Sequence, residues 1–124
     1  MRQISLVVLI APLFLASAVI ARPNYAPETI ERSFLLEWTV QPGPKGPTVE
    51  GYVHNKTDVT ADRMRIAIEQ LDAAGNVVGQ TTAWVIGGVP SGNRTFFRAR
   101  VPQAASYRVT IQTFDWLDKN APGS

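Results

Sequence analysis

The chain has 124 residues and no cysteine, and its formal net charge at pH 7 is only +2. The lack of cysteine excludes disulfides, thiolate metal ligands, a cysteine nucleophile and lipid attachment through cysteine. The small net charge gives no support to nucleic-acid binding, so no nucleic-acid partner is predicted. Hydrophobic residues make up 45% of the sequence and charged residues 18%, which indicates a globular chain with room for one domain.

Residues 1–21 have the pattern of an export signal. A single positive residue, Arg2, precedes a long apolar run that ends in small residues. This pattern is typical of a signal peptide, and we predict cleavage after Ala18 or Ala21. The alternative is a retained membrane anchor formed by residues 4–21, because an apolar run of about 18 residues is just long enough to span a bilayer. We therefore expect an exported protein, either periplasmic or extracellular.

The sequence after this leader divides into three parts. Residues 22–32 are polar, contain two prolines and are predicted to form a tether. Residues 33–117 contain all the alternating apolar runs and are predicted to be the folded domain. Residues 118–124 are predicted to be a frayed tail.

One short run in the domain, residues 49–55, predicts an early core strand. Val49 and Val53 alternate with polar residues and with Tyr52, so the valines are predicted to face the core and Tyr52 the other side. Gly51 lies within this strand, where a glycine is typical of a close approach by another group. We interpret Gly51 as making room for a bulky side chain from the facing sheet, with Trp38 as the candidate.

The remaining apolar runs also predict strands. Residues 63–71 fit a helix too, but Ile66 would then face solvent, whereas a strand buries it, so we predict a strand. Six such runs, punctuated by turns and without a convincing helix, predict a small antiparallel all-β sandwich of six to seven strands. The other five strands are predicted at residues 33–41, 63–71, 77–86, 95–101 and 107–115.

Three short segments carry a resemblance to a known family. They are Gly-Tyr-Val-His-Asn at 51–55, Ile-Ala-Ile-Glu-Gln-Leu-Asp at 66–72 and Ala-Gly-Asn-Val-Val-Gly at 74–79. In this order they resemble the FxLYD-type immunoglobulin-like domain of exported bacterial proteins, and Asp72 matches the last position of its naming signature. The resemblance implies that the antiparallel sandwich is a small immunoglobulin-like β-sandwich, which serves as a surface or envelope module without catalytic residues.

The sequence contains little that could support catalysis. His54 is the only histidine, and Glu50 is the only carboxylate on its face of the strand, whereas metal sites need several ligands. No serine lies in a nucleophile-elbow context, and the glycine-rich loop 87–92 lacks the lysine and following helix of a phosphate-binding loop. We therefore predict no metal site, no cofactor and no enzymatic activity.

Large aromatic residues have two possible places in a small sandwich. Trp84 and Trp116 are predicted to fill the core, with an exposed aromatic surface for a carbohydrate or protein partner as the alternative. Phe96 is different, because Phe97 takes the inward phase of the same strand. Phe96 is therefore predicted to face solvent or a partner.

Arginines surround Phe96 and define a candidate binding face. Arg98 and Arg100 share its side of the strand, and Arg94 enters the same strand. Arg63 and Arg65 lie on another strand and would extend the patch if both strands belonged to one sheet.

Two functions fit such a face. The first is a non-enzymatic exported module that docks onto a protein partner in the envelope. The alternative is a binder of anionic envelope components, such as lipid headgroups or acidic glycans. A purely structural interpretation also exists, in which the arginines pair with Glu37, Glu69 or Asp115 on solvated sheet faces.

Overall fold

The computed structural model describes residues 25–117. The predicted leader, the first part of the tether and the predicted tail lie outside the described residues. The described chain forms helix α1 (Pro27–Ser33) and strands β1 (Phe34–Gln41), β2 (Thr48–Asn55), β3 (Thr60–Leu71), β4 (Val77–Trp84), β5 (Arg94–Arg100) and β6 (Ser106–Leu117).

The strands form two three-stranded sheets that pack face to face. The first sheet has the order β1-β2-β5 and the second the order β4-β3-β6. All strand pairs are antiparallel. Each sheet buries one face against the other, which is the arrangement that period-2 alternation requires. The predicted small all-β sandwich is therefore confirmed.

The core lies between the inward faces of the two sheets. Val49 and Val53 of β2 are fully buried, as predicted from their alternation. Ile66 is fully buried in β3, which confirms the prediction of a strand rather than a helix. Burying one such side chain stabilises the fold by about 1.5 to 3 kcal/mol relative to leaving it exposed.

Gly51 has a different role from the one predicted. In the register of β1 and β2 it lies opposite Trp38. An added Cβ would overlap the carbonyl oxygen of Glu37 and come within 2.6 Å of the Trp38 Cα. The glycine therefore accommodates the backbone of the neighbouring strand, and the prediction of a side chain from the facing sheet was wrong.

Helix α1 lies where part of the polar tether was predicted, and only its last residue, Ser33, belongs to the predicted domain. Pro27 begins the helix, a position where the missing N–H of proline costs nothing. The carbonyl of Ala26 accepts hydrogen bonds from the N–H groups of Thr29 and Ile30. Ile30 packs against the core, but one apolar side chain in seven residues is too weak a pattern to predict a helix.

The loop after β4 crosses from one sheet to the other, as predicted. Buried Asn55 holds it in place, because its Nδ2 donates to the carbonyls of Val89, at 3.0 Å, and Val59, at 2.8 Å. The Asn55 backbone N–H also donates to the carbonyl of Asn93, at 2.8 Å. These bonds fix the point at which β5 begins and so fix the register of its arginines.

Candidate functional site

The predicted binding residues of β5 lie on the side of the first sheet that faces away from the core. Strand register arranges this side as four rows, each with one residue from β1, β2 and β5. We call it the outer face, and its rows are Leu35-His54-Arg94, Glu37-Tyr52-Phe96, Thr39-Glu50-Arg98 and Gln41-Thr48-Arg100.

An aromatic pair, one ring exposed and the other half-buried, forms the second row of the outer face. Phe96 is 47% exposed, so its prediction as an outward residue is confirmed. Tyr52 lies beside it in the same row, with ring centroids 5.5 Å apart in an edge-on arrangement. Leu35, in the adjacent row, is 52% exposed. The outer face therefore presents apolar and aromatic area that does not contribute to the core.

The arginines of β5 differ in how they are partnered. The Arg94 guanidinium lies over the Tyr52 ring, 4.1 Å from its centroid. The Nε of Arg98 is 3.7 Å from Glu50 Oε1, a long and solvent-exposed ion pair worth at most about 1 kcal/mol. Within residues 25–117, neither Arg94 nor Arg100 forms an ion pair. Two cationic groups of β5 are thus without an ion pair in this range, Arg94 beside the aromatic pair and Arg100 two rows away from it.

The carboxylates of the outer face lie on the other two strands. Glu37 of β1 is 2.6 Å from His54 Nε2, so the closest carboxylate to the histidine comes from the neighbouring strand, and Glu50 approaches Arg98 instead. The positive charge of the outer face is therefore concentrated along β5, and the negative charge along β1 and β2.

The structure does not bring all five predicted arginines together. Arg63 and Arg65 lie on β3, which belongs to the second sheet, so they do not extend the patch around Phe96. Arg63 Nε donates to Asp115 Oδ2, at 2.9 Å. The Arg65 guanidinium lies 4.6 Å from the centroid of the Trp84 ring. Arg63 is therefore held in an ion pair, whereas Arg65, like Arg94, is stacked on an aromatic ring and forms no ion pair within residues 25–117.

The two tryptophans predicted in the core lie in different environments. Trp116 is partly buried against the core, with its ring centroid 4.9 Å from that of Phe114, which agrees with the predicted core packing. Trp84 is 50% exposed, so core packing was wrong for this residue. It ends an edge strand on the side that carries Arg65 rather than the side that faces the core.

A groove of about 560 Å³ opens between the start of β1 and the middle of β6. Sequence patterns did not indicate it, because it depends on which strands lie at the sheet edges. Its charged lining residues are Glu31, Lys56 and Glu69. Glu69 accepts from Arg108 Nε at 2.6 Å, and Lys56 Nζ donates to the backbone carbonyl of Glu31 at 3.0 Å. The walls are lined by Ile30, Phe34, Leu36, Val109 and Ile111, among others.

The described residues contain no cluster of three or more histidine and acidic side chains able to hold a metal ion. Within the same range, no helix has the length and apolarity needed to cross a membrane. No family model, curated protein or solved structure matches the chain. Membership of the FxLYD-type family therefore stays a prediction.

Proposed function

We propose that this protein is a non-enzymatic interaction module, exported to the periplasm or cell envelope, that docks onto a protein partner through its outer face. The observation that carries the proposal is exposed Phe96, packed against half-buried Tyr52 with arginines on either side of it along β5. Tyrosine, phenylalanine and arginine are the residue types enriched in protein interfaces. Export is supported by the pattern of the leader alone.

The outer face has more exposed apolar area than a surface that only protects the sheet against aggregation would need. Charged residues on exposed strands protect a sheet against aggregation. Phe96 and Leu35 have the opposite effect, because they add exposed apolar area on the two edge strands of the same surface. Apolar area next to charged residues is typical of a docking site.

A second candidate is binding of anionic lipid headgroups or acidic glycans. The observation that favours it is that Arg94 and Arg100 have no ion pair among the described residues. A guanidinium group can donate two parallel hydrogen bonds to a phosphate or a carboxylate.

Photo-crosslinking tests the proposed function. A photoreactive amino acid at position 96 would lie on the outer face, and one at position 78 provides the control. Val78 is 64% exposed on β4 of the second sheet. In envelope extracts, we expect position 96 to give one discrete crosslinked protein and position 78 to give none.

Two results would contradict docking through the outer face. One is the same crosslinked proteins from positions 96 and 78, and the other is no crosslinked protein from position 96. Crosslinks at position 96 to lipid or glycan only would favour the second candidate. Replacing Leu35 with serine should weaken the protein crosslink at position 96 while the fold is retained, because Leu35 is exposed.

A further inference from the structure

The side chains of β5 on the outer face form a regular row. Arg94, Phe96, Arg98 and Arg100 are successive residues on one side of the strand. Because a strand rises about 3.3 Å per residue, residues two apart lie about 7 Å from each other. The row therefore presents a positive group, an aromatic ring and two further positive groups at one repeating distance.

The charges in this row are poorly balanced by their own sheet. Of the two glutamates on the outer face, Glu37 is 2.6 Å from His54, and Glu50 lies only within 3.7 Å of Arg98. The guanidinium of Arg94 is stacked on Tyr52, which leaves its edge free to donate hydrogen bonds. The row thus complements a ligand with several carboxylates.

We propose that the row on β5 binds an extended acidic segment of the partner, with side chains at alternate positions in the order acidic, apolar, acidic, acidic. This inference rests on the proposed function and names the chemistry of the docked protein. An extended chain repeats every two residues at the same distance of about 7 Å. Its apolar side chain would cover Phe96, and its carboxylates would meet the three arginines.

The distribution of charge favours a peptide over a membrane surface. The outer face holds three arginines and two glutamates, so its net charge is +1 with His54 neutral. Recognition of anionic lipid surfaces is typical of clusters of about 4 to 8 basic residues. A narrow ligand that follows β5 meets the arginines without approaching Glu37 on β1.

The proposal can be tested with a synthetic peptide and the full-length protein. The probe is a labelled peptide with Glu, Leu, Glu and Glu at alternate positions separated by Ser, and the matched control has the same composition with its three Glu residues consecutive. Fluorescence anisotropy measures the two affinities. We expect the alternating peptide to bind at least about tenfold more tightly, and its binding to weaken with salt.

Charge-matched variants show whether the row is the site. The double variant Arg94→Gln with Arg100→Gln should weaken binding of the alternating peptide by about tenfold or more. The control double variant, Arg32→Gln with Lys45→Gln, removes the same charge from exposed positions away from the outer face. We expect the control to change binding by less than about twofold.

Three outcomes would overturn the inference. One is equal affinity for the two peptides, and another is equal weakening by the two double variants. The third is salt-sensitive binding to vesicles of phosphatidylserine and phosphatidylcholine without binding to the alternating peptide. If the alternating peptide does not bind but position 96 still crosslinks a discrete protein, the proposal of an acidic segment is wrong and the proposal of docking through the outer face is retained. Failure of both measurements contradicts docking as well.

Discussion

The two sheets carry similar residues on the sides that face away from the core but use them differently. In the second sheet, Arg108 pairs with Glu69 at 2.6 Å and Arg63 with Asp115 at 2.9 Å. In the outer face of the first sheet, the closest contact between an arginine and a carboxylate is 3.7 Å. In the described part of the chain, two of the three arginines of the second sheet form short ion pairs, whereas none of the three arginines of the outer face does. Arg65 and Arg94, one in each sheet, are stacked on an aromatic ring instead.

The two sheets also differ in how exposed the side chains are on the sides that face away from the core. On the second sheet, Ala67 is 4% exposed and Glu69 is 8% exposed, although both lie on the side away from the core. On the outer face of the first sheet, Phe96 of β5 is 47% exposed. Exposed aromatic area beside an arginine without an ion pair among residues 25–117 occurs on both sheets, at Phe96 and Arg94 on the first and at Trp84 and Arg65 on the second. The first sheet differs because three arginines share one side of a single strand with Phe96, which makes it the better docking surface.

The largest expected effect is a difference in stability between substitutions at two adjacent residues. Phe97→Ala should destabilise the domain by about 4 kcal/mol, because it removes a core ring that is only 2% exposed. Phe96→Ala should change stability by no more than about 1 kcal/mol, since its ring faces outward. Chemical denaturation of both variants measures the difference. Similar losses for both would show that Phe96 serves the fold rather than a partner.

A second prediction compares the stability lost on replacing one glycine with alanine in each sheet. Gly51→Ala should destabilise the protein by roughly 3 kcal/mol, because its new methyl group would meet the backbone of β1. Gly79→Ala meets instead the Gln70 side chain, at 2.6 Å from its Oε1, and a side chain can move. We expect a loss below about 1 kcal/mol there. Urea denaturation curves would contradict this interpretation if Gly51→Ala were tolerated as well as Gly79→Ala.

The ion pairs of the two sheets should also differ in strength. Arg108→Gln should cost about 1 to 2 kcal/mol, since it leaves the nearly buried carboxylate of Glu69 without its partner. Arg98→Gln should cost about 0.5 kcal/mol or less, because its pair with Glu50 is long and exposed. Thermal unfolding at low and high salt checks both values. An equal cost would remove the distinction between arginines used for folding and arginines left for binding.

The smallest effect concerns the turn between β3 and β4. The backbone N–H of Asn76, helped by that of Ala74, lowers the pKa of Asp72 below 3.8. The ionised carboxylate therefore stabilises the turn above the pKa of the unfolded chain, and this contribution is lost as pH falls through the lower pKa of the folded state. NMR titration should place the midpoint of Asp72 below 3.8, and Asp72→Asn should lose stability at neutral pH but not at the lowest pH. A midpoint of 3.8 or higher would contradict these hydrogen bonds.

Alternation of residues was sufficient to predict the strands. Val49, Val53 and Ile66 lie on the inward phase of their runs and are fully buried. Phe96 and Phe97 were correctly separated by the same rule. These features are local, because the two-residue repeat of a strand decides which side a residue faces.

The features that could not be predicted from the sequence depend on which strands are neighbours in the sheets. Arg63 and Arg65 were grouped with the arginines of β5, but strand order places them in the other sheet. Trp84 was predicted in the core because its size suits a sandwich interior, whereas the register of an edge strand turns it outward. The anchoring role of Asn55 was also missed, because both of its carbonyl acceptors belong to loops whose positions follow from the fold.

NMR mapping with the alternating acidic peptide tests the central claim most directly. If the outer face is the docking surface, the peptide should shift the backbone amide signals of Arg94 to Arg100 and of Tyr52, and the shifts should diminish with added salt. The signals of Val78 and Trp84 on the second sheet should stay in place. Shifts confined to the second sheet or to the groove beside β6, with β5 unchanged, would contradict the account.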